Sequence, residues 1–426
     1  MLVVHAADIH LDAPLKGRRV HSDEAHHEVR LATRRAFINL IELCTEEKAD
    51  LLLLAGDVFD SETVDFNTGL FAHRQLAQLR EVGTRVVIVK GNHDAEHVVR
   101  NTLADSASPH VTILDHKKPQ QVKYEDIGVA VTGQSYERRH VEANLVQGFP
   151  IPVTGLLNIG LLHTDISGIV SQYKYAPCVL PDLINKKYDY WALGHVHTRR
   201  VLQGRDPLIL YPGNTQGRHI NETGPKGCTM VYCDDGEITS VEMRQLDAVR
   251  WECVEIVAQP EDNYTDVLER VSCHLQDQRQ NLDRERRKGH PLVAQIRVTG
   301  ATDAHYSLAR DQRKTAADII ATAARWDIWP ERVIIGTEPL RNERPEDIGD
   351  FLSTLDETFV RLINEQENLD SYIDTLQKLQ IFTERHPLEQ KPADEAHVRG
   401  LLRDARALIM AHLRVGSDVS PVNEME

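Results

Sequence analysis

The sequence predicts an α/β sandwich of two mixed β-sheets flanked by helices, followed by a small β/α capping domain and a helical C-terminal region. Three observations lead to this fold class. Short apolar runs alternate with helical segments, shorter extended runs follow them, and the pattern changes after Trp251 and again at 341–347. A chain of 426 residues is too long for one ordinary core, so we expect domains at 1–250, 251–340 and 341–426.

The first part of the chain contains apolar runs that are typical of β-strands because they are rich in Leu and β-branched residues. These runs lie at 2–7, 51–55, 85–90, 157–163 and 188–195, with helical stretches at 28–48 and 67–82. The alternation of the first three runs with helices indicates an α/β layer. Further extended runs lie at 122–133, 200–204, 208–213 and 228–246, the last with an Asp235-Gly236 turn. They predict a second, more antiparallel sheet.

The chain after Trp251 has a β-α-β-α-β pattern. Its strands are predicted at 253–259, 292–300 and 332–338, and its helices at 264–288 and 309–325. Beyond 341–347, apolar residues recur at helical spacing, at Leu352, Leu355, Phe359 and Leu362. We therefore expect a helical tail, whose apolar face covers either its own domain or a partner.

The composition is that of a soluble globular protein, with 41% hydrophobic and 27% charged residues. The N-terminus lacks a basic region followed by a long apolar stretch, so we expect a first β-strand there and not a signal peptide. The six cysteines form no CxxC motif, which favours a reducing compartment and a cytoplasmic location. The formal net charge of −16 disfavours strong intrinsic DNA binding, because neutralisation of phosphates supplies much of that affinity.

Five clusters of Asp, His and Asn stand at the ends of predicted strands. They are Asp8-Ile9-His10, Gly56-Asp57-Val58-Phe59-Asp60, Gly91-Asn92-His93-Asp94, His163, and Gly194-His195-Val196-His197. Ligands of α/β sheets bind beyond the carboxyl ends of the strands, so the clusters predict one convergent site. Carboxylate, imidazole and amide ligands without thiolates suit Mn²⁺, Fe²⁺ or Zn²⁺. Because residues i and i+2 of a strand share a face, Asp8 and His10 are expected to hold one ion together.

The ordered clusters resemble the DxH, GDxxD, GNHD, lone His and GHxH pattern of the calcineurin-like metallophosphoesterases. The resemblance implies a first metal held by Asp8, His10 and His197, a second held by Asn92, His163 and His195, and a bridging Asp57. It further implies that His93 protonates the leaving oxygen and that Asp94 holds the His93 imidazole in the useful tautomer. Asp60 is expected to orient a ligand or a turn.

The opening ADIHLDAPLKG and the segment YPGNTQGRHINETGPKGC at 211–228 are similar to bacterial DNA-repair exonucleases of the SbcD type, in a YhaO-like branch. The similarity extends over residues 1–250. It implies a DNA exonuclease or endonuclease with two divalent ions, Mn²⁺ being favoured over Fe²⁺ or Zn²⁺. It also implies a capping domain, a tail that docks on a Rad50/SbcC-like ABC ATPase, and a homodimer formed near the helix at 67–82.

Two other functions stay open on sequence grounds: a small-molecule phosphodiesterase or phosphatase, and a non-catalytic scaffold for an ATPase partner. Candidate substrate-binding residues are those close in sequence to predicted ligands or within the 211–228 segment, namely Arg18, Arg199, Asn214 and Arg218. His21, His26 and His27 are interpreted as part of a solvated face.

Overall fold

The computed structural model describes residues 1–13, 23–60, 66–95, 109–166, 175–286, 289–340, 350–365 and short pieces of 369–410. The chain divides into two compact units. The first contains Met1–Glu252 and Arg286–Val293, and the second contains Cys253–Glu285 and Ala294–Glu426. The region predicted as a domain at 251–340 is therefore divided between the units, since 251–252 and 286–293 belong to the first, whereas 341–426 belongs to the second. No helix in the described part of the chain is long and apolar enough to cross a membrane.

The first unit contains two six-stranded mixed β-sheets, which confirms the predicted fold class. The first sheet contains β1 (Leu2–Ala6), β2 (Leu51–Ala55), β3 (Arg85–Val89), β4 (Val111–Ile113), β11 (Gly227–Asp234) and β12 (Glu237–Gln245), in the order β12-β11-β1-β2-β3-β4. The second contains β5 (Gln120–Tyr124), β6 (Val129–Gly133), β7 (Leu157–His163), β8 (Tyr190–Gly194), β9 (Arg200–Gln203) and β10 (Leu208–Tyr211), in the order β5-β6-β7-β8-β10-β9.

The second sheet differs from the predicted antiparallel arrangement. β6, β7, β8 and β10 are parallel, and only the edge strands β5 and β9 pair antiparallel. The hairpin β11–β12 belongs to the first sheet, where β11 pairs antiparallel with β1. Parallel strands that are covered on both faces have nearly continuous apolar sequences, as in β7, where all seven residues are buried.

Helices cover the outer faces of the sandwich. On the first sheet, α1 (Asp23–Glu46) and α2 (Phe66–Val82) pack against side chains of β2 such as Leu52 and Leu54. The alternate residues of β2, such as Leu53, point between the sheets and pack with residues of β7 and β10. The short helix α3 (Leu180–Asn185) contributes to a separate apolar cluster on the other face of the second sheet, which contains Trp191.

The carboxyl ends of the parallel strands in both sheets meet at one edge of the sandwich. The ends of β2 and β8 approach each other closely, since a Cβ added to Gly194 would lie 1.8 Å from the carbonyl oxygen of Ala55. Glycine is therefore required at position 194 for the two strand ends to approach this closely. The contact brings the loop after β8 beside the loop after β2.

The second unit is built around a three-stranded sheet in the order β13-β14-β15, with helices between its strands. Its elements are β13 (Arg250–Val257), α4 (Tyr264–Glu285), β14 (Leu292–Ala301), α5 (His305–Arg310), α6 (Gln312–Ala324), β15 (Ile328–Glu338) and α7 (Asp350–Asn364). The region predicted as one helix at 309–325 contains parts of two helices, α5 and α6. The second helix begins where the Asp311 side chain accepts a hydrogen bond from the backbone N–H of Lys314 at 2.9 Å.

The tail helix α7 packs within its own unit over part of its predicted apolar face. Leu355 and Leu362 are half-buried and Ile363 is buried. Asp356 on α7 forms a bidentate ion pair with Arg406, at 2.7 and 2.8 Å. The side chain of Leu352, also predicted on this face, lies outside the described residues.

Candidate metal centre and active site

Several of the predicted metal ligands lie just beyond the strand ends, in loops with left-handed backbone. The φ angles of Asp8, His10, Asp57 and His195 are 52°, 47°, 52° and 107°. Such angles are uncommon for residues with a side chain and occur where the surrounding structure enforces them, often at functional sites. Because β1 ends at Ala6, Asp8 and His10 converge through the loop conformation, and not through strand alternation as predicted.

Backbone hydrogen bonds hold these loops together. The backbone N–H of Asp8 donates to Gly56 O, and that of His10 donates to Asp57 O, both at 3.0 Å. The carboxylate of Asp8 accepts the backbone N–H of His195 with both oxygens, at 3.1 and 3.0 Å. The first, second and fifth clusters therefore form one connected framework.

The ligands predicted for the first metal face a common point. His10 Nε2 lies 3.2 Å from His197 Nε2, and Asp8 Oδ1 lies 3.9 Å from His197 Nε2. Nitrogen ligands that each bind one divalent ion at roughly 2.1 Å lie roughly 3 Å apart, as these imidazoles do. The potential ligand atoms of Asp8, His10 and His197 all lie within 4.8 Å of one another.

Asp57 lies between the two predicted sets of ligands. Its Oδ2 is 3.8 Å from His10 Nε2 and 3.5 Å from His163 Nε2, while its Oδ1 accepts the backbone N–H of His93 at 2.8 Å. The Oδ2 atom of Asp57 thus faces His10 of the first predicted ligand set and His163 of the second. This is the position that a bridging ligand would take.

The ligands predicted for the second metal group around His163. Its Nδ1 donates to the carbonyl oxygen of Ala55 at 2.9 Å, which leaves Nε2 with a lone pair for a metal. His163 Nε2 lies 2.9 Å from Asn92 Oδ1, and the ring of His195 meets the His163 ring edge-on, with centroids 5.2 Å apart. A carboxylate, an amide oxygen and two imidazoles therefore lie close to one another.

The electrostatics of these residues fit a bound cation. Burial raises the pKa of Asp57 to about 6, and burial followed by repulsion from Asp57 raises the pKa of Asp8 well above its usual range. Burial lowers the pKa of His163 to about 3 and that of His195 to about 2, so both imidazoles are neutral, the form that binds metals. Divalent ions would compensate the buried carboxylates, so the residues present fit a dimetal site.

His93 stands at the open side of this group, with 21% of its side chain exposed. Its Nδ1 lies 4.0 Å from Asp60 Oδ2. The same Asp60 oxygen lies 3.5 Å from His10 Nδ1, so Asp60 is placed beside both imidazoles. This is consistent with the orienting role expected for Asp60.

The Asp94 carboxylate accepts three backbone hydrogen bonds in the ligand loops, and its role in holding the His93 imidazole stays a prediction. Its Oδ2 accepts the backbone N–H groups of Gly91 at 3.0 Å and Val58 at 3.2 Å, and its Oδ1 accepts that of Phe59 at 2.9 Å. Asp94 therefore joins the second and third ligand loops, and the carboxylate of Asp60 lies 4.0 Å from the His93 ring. Two adjacent residues on a tight turn direct their side chains to different neighbours, which the sequence order does not reveal.

Glu222 is a residue of the site to which the sequence assigned no role. Its Oε1 accepts a hydrogen bond from His197 Nδ1 at 2.6 Å, and its Oε2 accepts from the backbone N–H of Arg218 at 2.8 Å. Burial alone would raise the pKa of Glu222, but His197 and Arg218 hold it well below its usual range. Carboxylates that fix the tautomer of a ligating histidine in this way are common beside metals. The only sequence signal for it was its place in the 211–228 segment.

The predicted substrate-binding residues have different surroundings. The guanidinium of Arg218 lies beside the first set, with Nη1 3.4 Å from Asp60 Oδ2 and Nη2 3.4 Å from Glu222 Oε1. Asn214 is fully buried and donates to Gln216 O and Glu222 Oε2, so its side chain supports the loop. Its contact with substrate stays a prediction.

Of the other two candidates, the structure describes only Arg199. Arg199 is half-buried and donates to Thr229 Oγ1 at 2.5 Å. Its contact with substrate stays a prediction. Arg18 lies outside the described residues.

Comparisons with known proteins agree with this geometry. Residues 1–199 match the family model of the calcineurin-like phosphoesterases, and residues 251–338 match that of the middle domain of metallophosphoesterase YhaO. All seven predicted metal ligands fall within the first match.

Similar proteins include a relative matched over nearly its whole length, a DNA repair protein and a nuclease subunit. The uncharacterized metallophosphoesterase YhaO of Bacillus subtilis (strain 168) is 29% identical over 418 residues, which cover 97% of this chain and 98% of that protein. The DNA double-strand break repair protein Mre11 of Sulfurisphaera tokodaii is 24% identical over 58% of this chain and 62% of its own length. The SbcD component of the nuclease SbcCD of Escherichia coli (strain K12) is 24% identical over 57% of this chain and 67% of its own length. Residues 1–199 thus contain a calcineurin-like metallophosphoesterase domain, and residues 251–338 match the YhaO middle domain.

Proposed function

We propose that this protein is a two-metal DNA nuclease that acts together with a Rad50/SbcC-like ABC ATPase. The observation that carries the proposal is the position of Asp57 Oδ2 between His10 and His163, with His93 at the open side. Hydrolysis of a phosphodiester requires concentrated positive charge at the phosphate and a proton donor for the leaving oxygen. The similarity to Mre11 and to the SbcCD nuclease favours DNA among the possible phosphodiesters.

In this proposal the chain holds two divalent ions. The residues that hold the first ion are Asp8, His10 and His197, those that hold the second are Asn92, His163 and His195, and Asp57 is shared. When bound, such a pair stabilises the attacking and leaving oxygens of an in-line displacement. All these ligands are nitrogen or oxygen donors without a thiolate, which suits Mn²⁺, Fe²⁺ or Zn²⁺. Among these ions we favour Mn²⁺ because of the resemblance to SbcD-type nucleases.

His93 and Arg218 complete the site on the substrate side. His93 protonates the leaving oxygen, and the nearby carboxylate of Asp60 stabilises its imidazolium form. The two ion pairs of Arg218, at 3.4 Å each, are longer than the roughly 2.7–2.9 Å of strong charge-assisted hydrogen bonds. Its guanidinium can therefore turn toward a phosphate oxygen at little cost.

Cleavage of DNA ends tests this function. The cleavage rate of the purified protein in the presence of Mn²⁺ is compared with that of its His93→Gln variant. Each protein is assayed alone and together with the ATPase. We expect His93→Gln to lower the cleavage rate about 10²–10⁴-fold while Mn²⁺ still binds, because only the proton donor is lost. The matched control is His27→Gln, which changes an exposed histidine on α1 and is expected to leave cleavage unchanged.

The alternative functions give different results in the same assay. Turnover of a small phosphomonoester without any DNA cleavage, with or without the ATPase, would overturn the nuclease and favour a small-molecule phosphatase. Failure of the protein to hydrolyse any phosphoester would favour a scaffold.

We also propose a homodimer that forms near α2. Phe66 at the start of α2 is 68% exposed and Leu31 on α1 is 42% exposed, so both present apolar surface. Light scattering is expected to give twice the chain mass of 48.2 kDa. Phe66→Glu is expected to return the protein to a monomer, and an unchanged mass in that variant would place the interface elsewhere.

A further inference from the structure

We infer that Tyr136 is an additional catalytic residue, whose phenol donates a hydrogen bond to a phosphate oxygen of the substrate beside the second set of metal ligands. The inference rests on the proposed phosphodiesterase function, although it does not require that the substrate be DNA.

The fold places Tyr136 at the metal centre. It follows β6, whose carboxyl end lies at the same edge of the second sheet as those of β7 and β8. Its backbone N–H donates to the carbonyl oxygen of Lys90 at 3.0 Å, just before the ligand loop that contains Asn92. Its ring meets the ring of His163 nearly perpendicularly, at 87°, with centroids 5.5 Å apart. Tyr136 therefore packs directly against a predicted ligand of the second metal.

The hydroxyl group of Tyr136 has no hydrogen-bond partner among the residues that the structure describes. The side chain is only 1% exposed, and its apolar neighbours include Ala95 and Ala176. A buried hydroxyl group without a partner lowers stability, whereas phenylalanine would fill the same space without that cost. A substrate that accepts a hydrogen bond from this hydroxyl group would explain why the residue is tyrosine and not phenylalanine.

The chemistry of the hydroxyl group indicates what that partner is. A phenol is protonated at neutral pH, so the Tyr136 hydroxyl group acts as a hydrogen-bond donor. Tyr136 is as buried as the predicted metal ligands themselves, since His163 and Asp57 are 0% and 2% exposed. Its burial is therefore that of the predicted metal centre as a whole. An anion drawn to ions around Asp57 would bring an acceptor oxygen toward this phenol.

A trapped water molecule is the alternative partner. Asp165 Oδ1 is also buried without a partner among the described residues, and the charge of Asp165 acts on Tyr136. A water molecule bridging the two groups would satisfy both. The hydroxyl group would then contribute to stability and not to catalysis.

Tyr136→Phe distinguishes these cases because it removes only the hydroxyl group. We expect kcat for bis(p-nitrophenyl) phosphate and for DNA to fall roughly 10²-fold, as when one preorganised donor is lost. Mn²⁺ affinity is expected to stay unchanged, and the thermal unfolding midpoint to stay unchanged or to rise.

The matched control is Tyr211→Phe, since the Tyr211 hydroxyl group donates to Thr164 O at 2.9 Å and is satisfied within the fold. This control is expected to lower the unfolding midpoint. An unchanged kcat in Tyr136→Phe would overturn the inference, and a lowered midpoint with unchanged kcat would identify the bridging water. If the unmodified protein hydrolyses the small diester but does not cleave DNA, only the nuclease proposal is overturned.

Discussion

At the scale of single residues, Glu222 connects the two sides of the proposed site. One of its oxygens holds the Nδ1–H of His197, and the other holds the backbone of Arg218 and the side chain of Asn214. The predicted metal ligand and the predicted phosphate-binding arginine thus depend on one carboxylate. Replacement of Glu222 should therefore affect metal binding even though Glu222 is not itself a predicted ligand.

We predict that Glu222→Gln weakens Mn²⁺ binding at the first site about 10–100-fold, as is typical when the partner of a ligating histidine is lost. Glutamine has a single acceptor oxygen, and its amide N–H groups would face the donors of Arg218 and Asn214. Titration followed by electron paramagnetic resonance measures the affinity at each site. Glu242→Gln, on an exposed residue of β12, is the control. Equal weakening of both sites together with a lower unfolding midpoint would instead indicate a general structural role.

The sequence predicts the residues that point into the site better than those that support them. Asp8, Asp57 and His163 each stand next to a strand end, and strand ends are visible as the limits of apolar runs. The partner of His197 lies 25 residues away in a loop, and its position depends on how that loop folds. The place of Asp60 beside His93 likewise depends on how the loop after β2 folds.

At the scale of secondary structure elements, strand positions follow from local sequence, whereas strand pairing does not. The runs at 51–55 and 157–163 coincide with β2 and β7. The place of the hairpin β11–β12 was not predictable, because its partner β1 lies more than 200 residues away in the chain. The site depends on this non-local packing, most directly where the ends of β2 and β8 meet.

We predict that Gly194→Ala lowers the free energy of unfolding by about 1–3 kcal/mol or more and weakens binding at the second metal site. The added Cβ would lie 1.8 Å from Ala55 O and 3.0 Å from His163 Nδ1, so β8 must move away from β2 and carry His195 with it. Urea denaturation and Mn²⁺ titration measure the two effects. The control is Gly204→Ala, since a Cβ there would meet no atom within 4 Å. Normal metal binding in Gly194→Ala would show that the strand ends can separate without disturbing the ligands.

At the scale of the whole molecule, the predicted site and the predicted docking region lie in different units of the chain. All the predicted ligands, with Tyr136 and Glu222, belong to the unit formed by Met1–Glu252 and Arg286–Val293. The segment at 286–293 is part of this unit, because Arg286 donates to the carbonyl oxygens of Gln245 at 3.0 Å and Asp247 at 2.9 Å. A truncation that preserves the site must therefore keep the chain through residue 293, and a truncation after residue 340 does so.

We predict that deletion of residues 341–426 leaves Mn²⁺ affinity and turnover of bis(p-nitrophenyl) phosphate unchanged but abolishes association with the ATPase. ATP-dependent DNA cleavage should disappear with it, because a chain with a net charge of −16 has little affinity of its own for a polyanion and needs a partner to hold the DNA. Co-elution of the two proteins and cleavage with and without ATP measure both effects, and circular dichroism verifies that the shortened chain is folded. His93→Gln in the full chain is the complementary control, since it should still bind the ATPase while losing cleavage. If the shortened chain still co-elutes with the ATPase, the docking surface lies in residues 1–340 and the tail has another role.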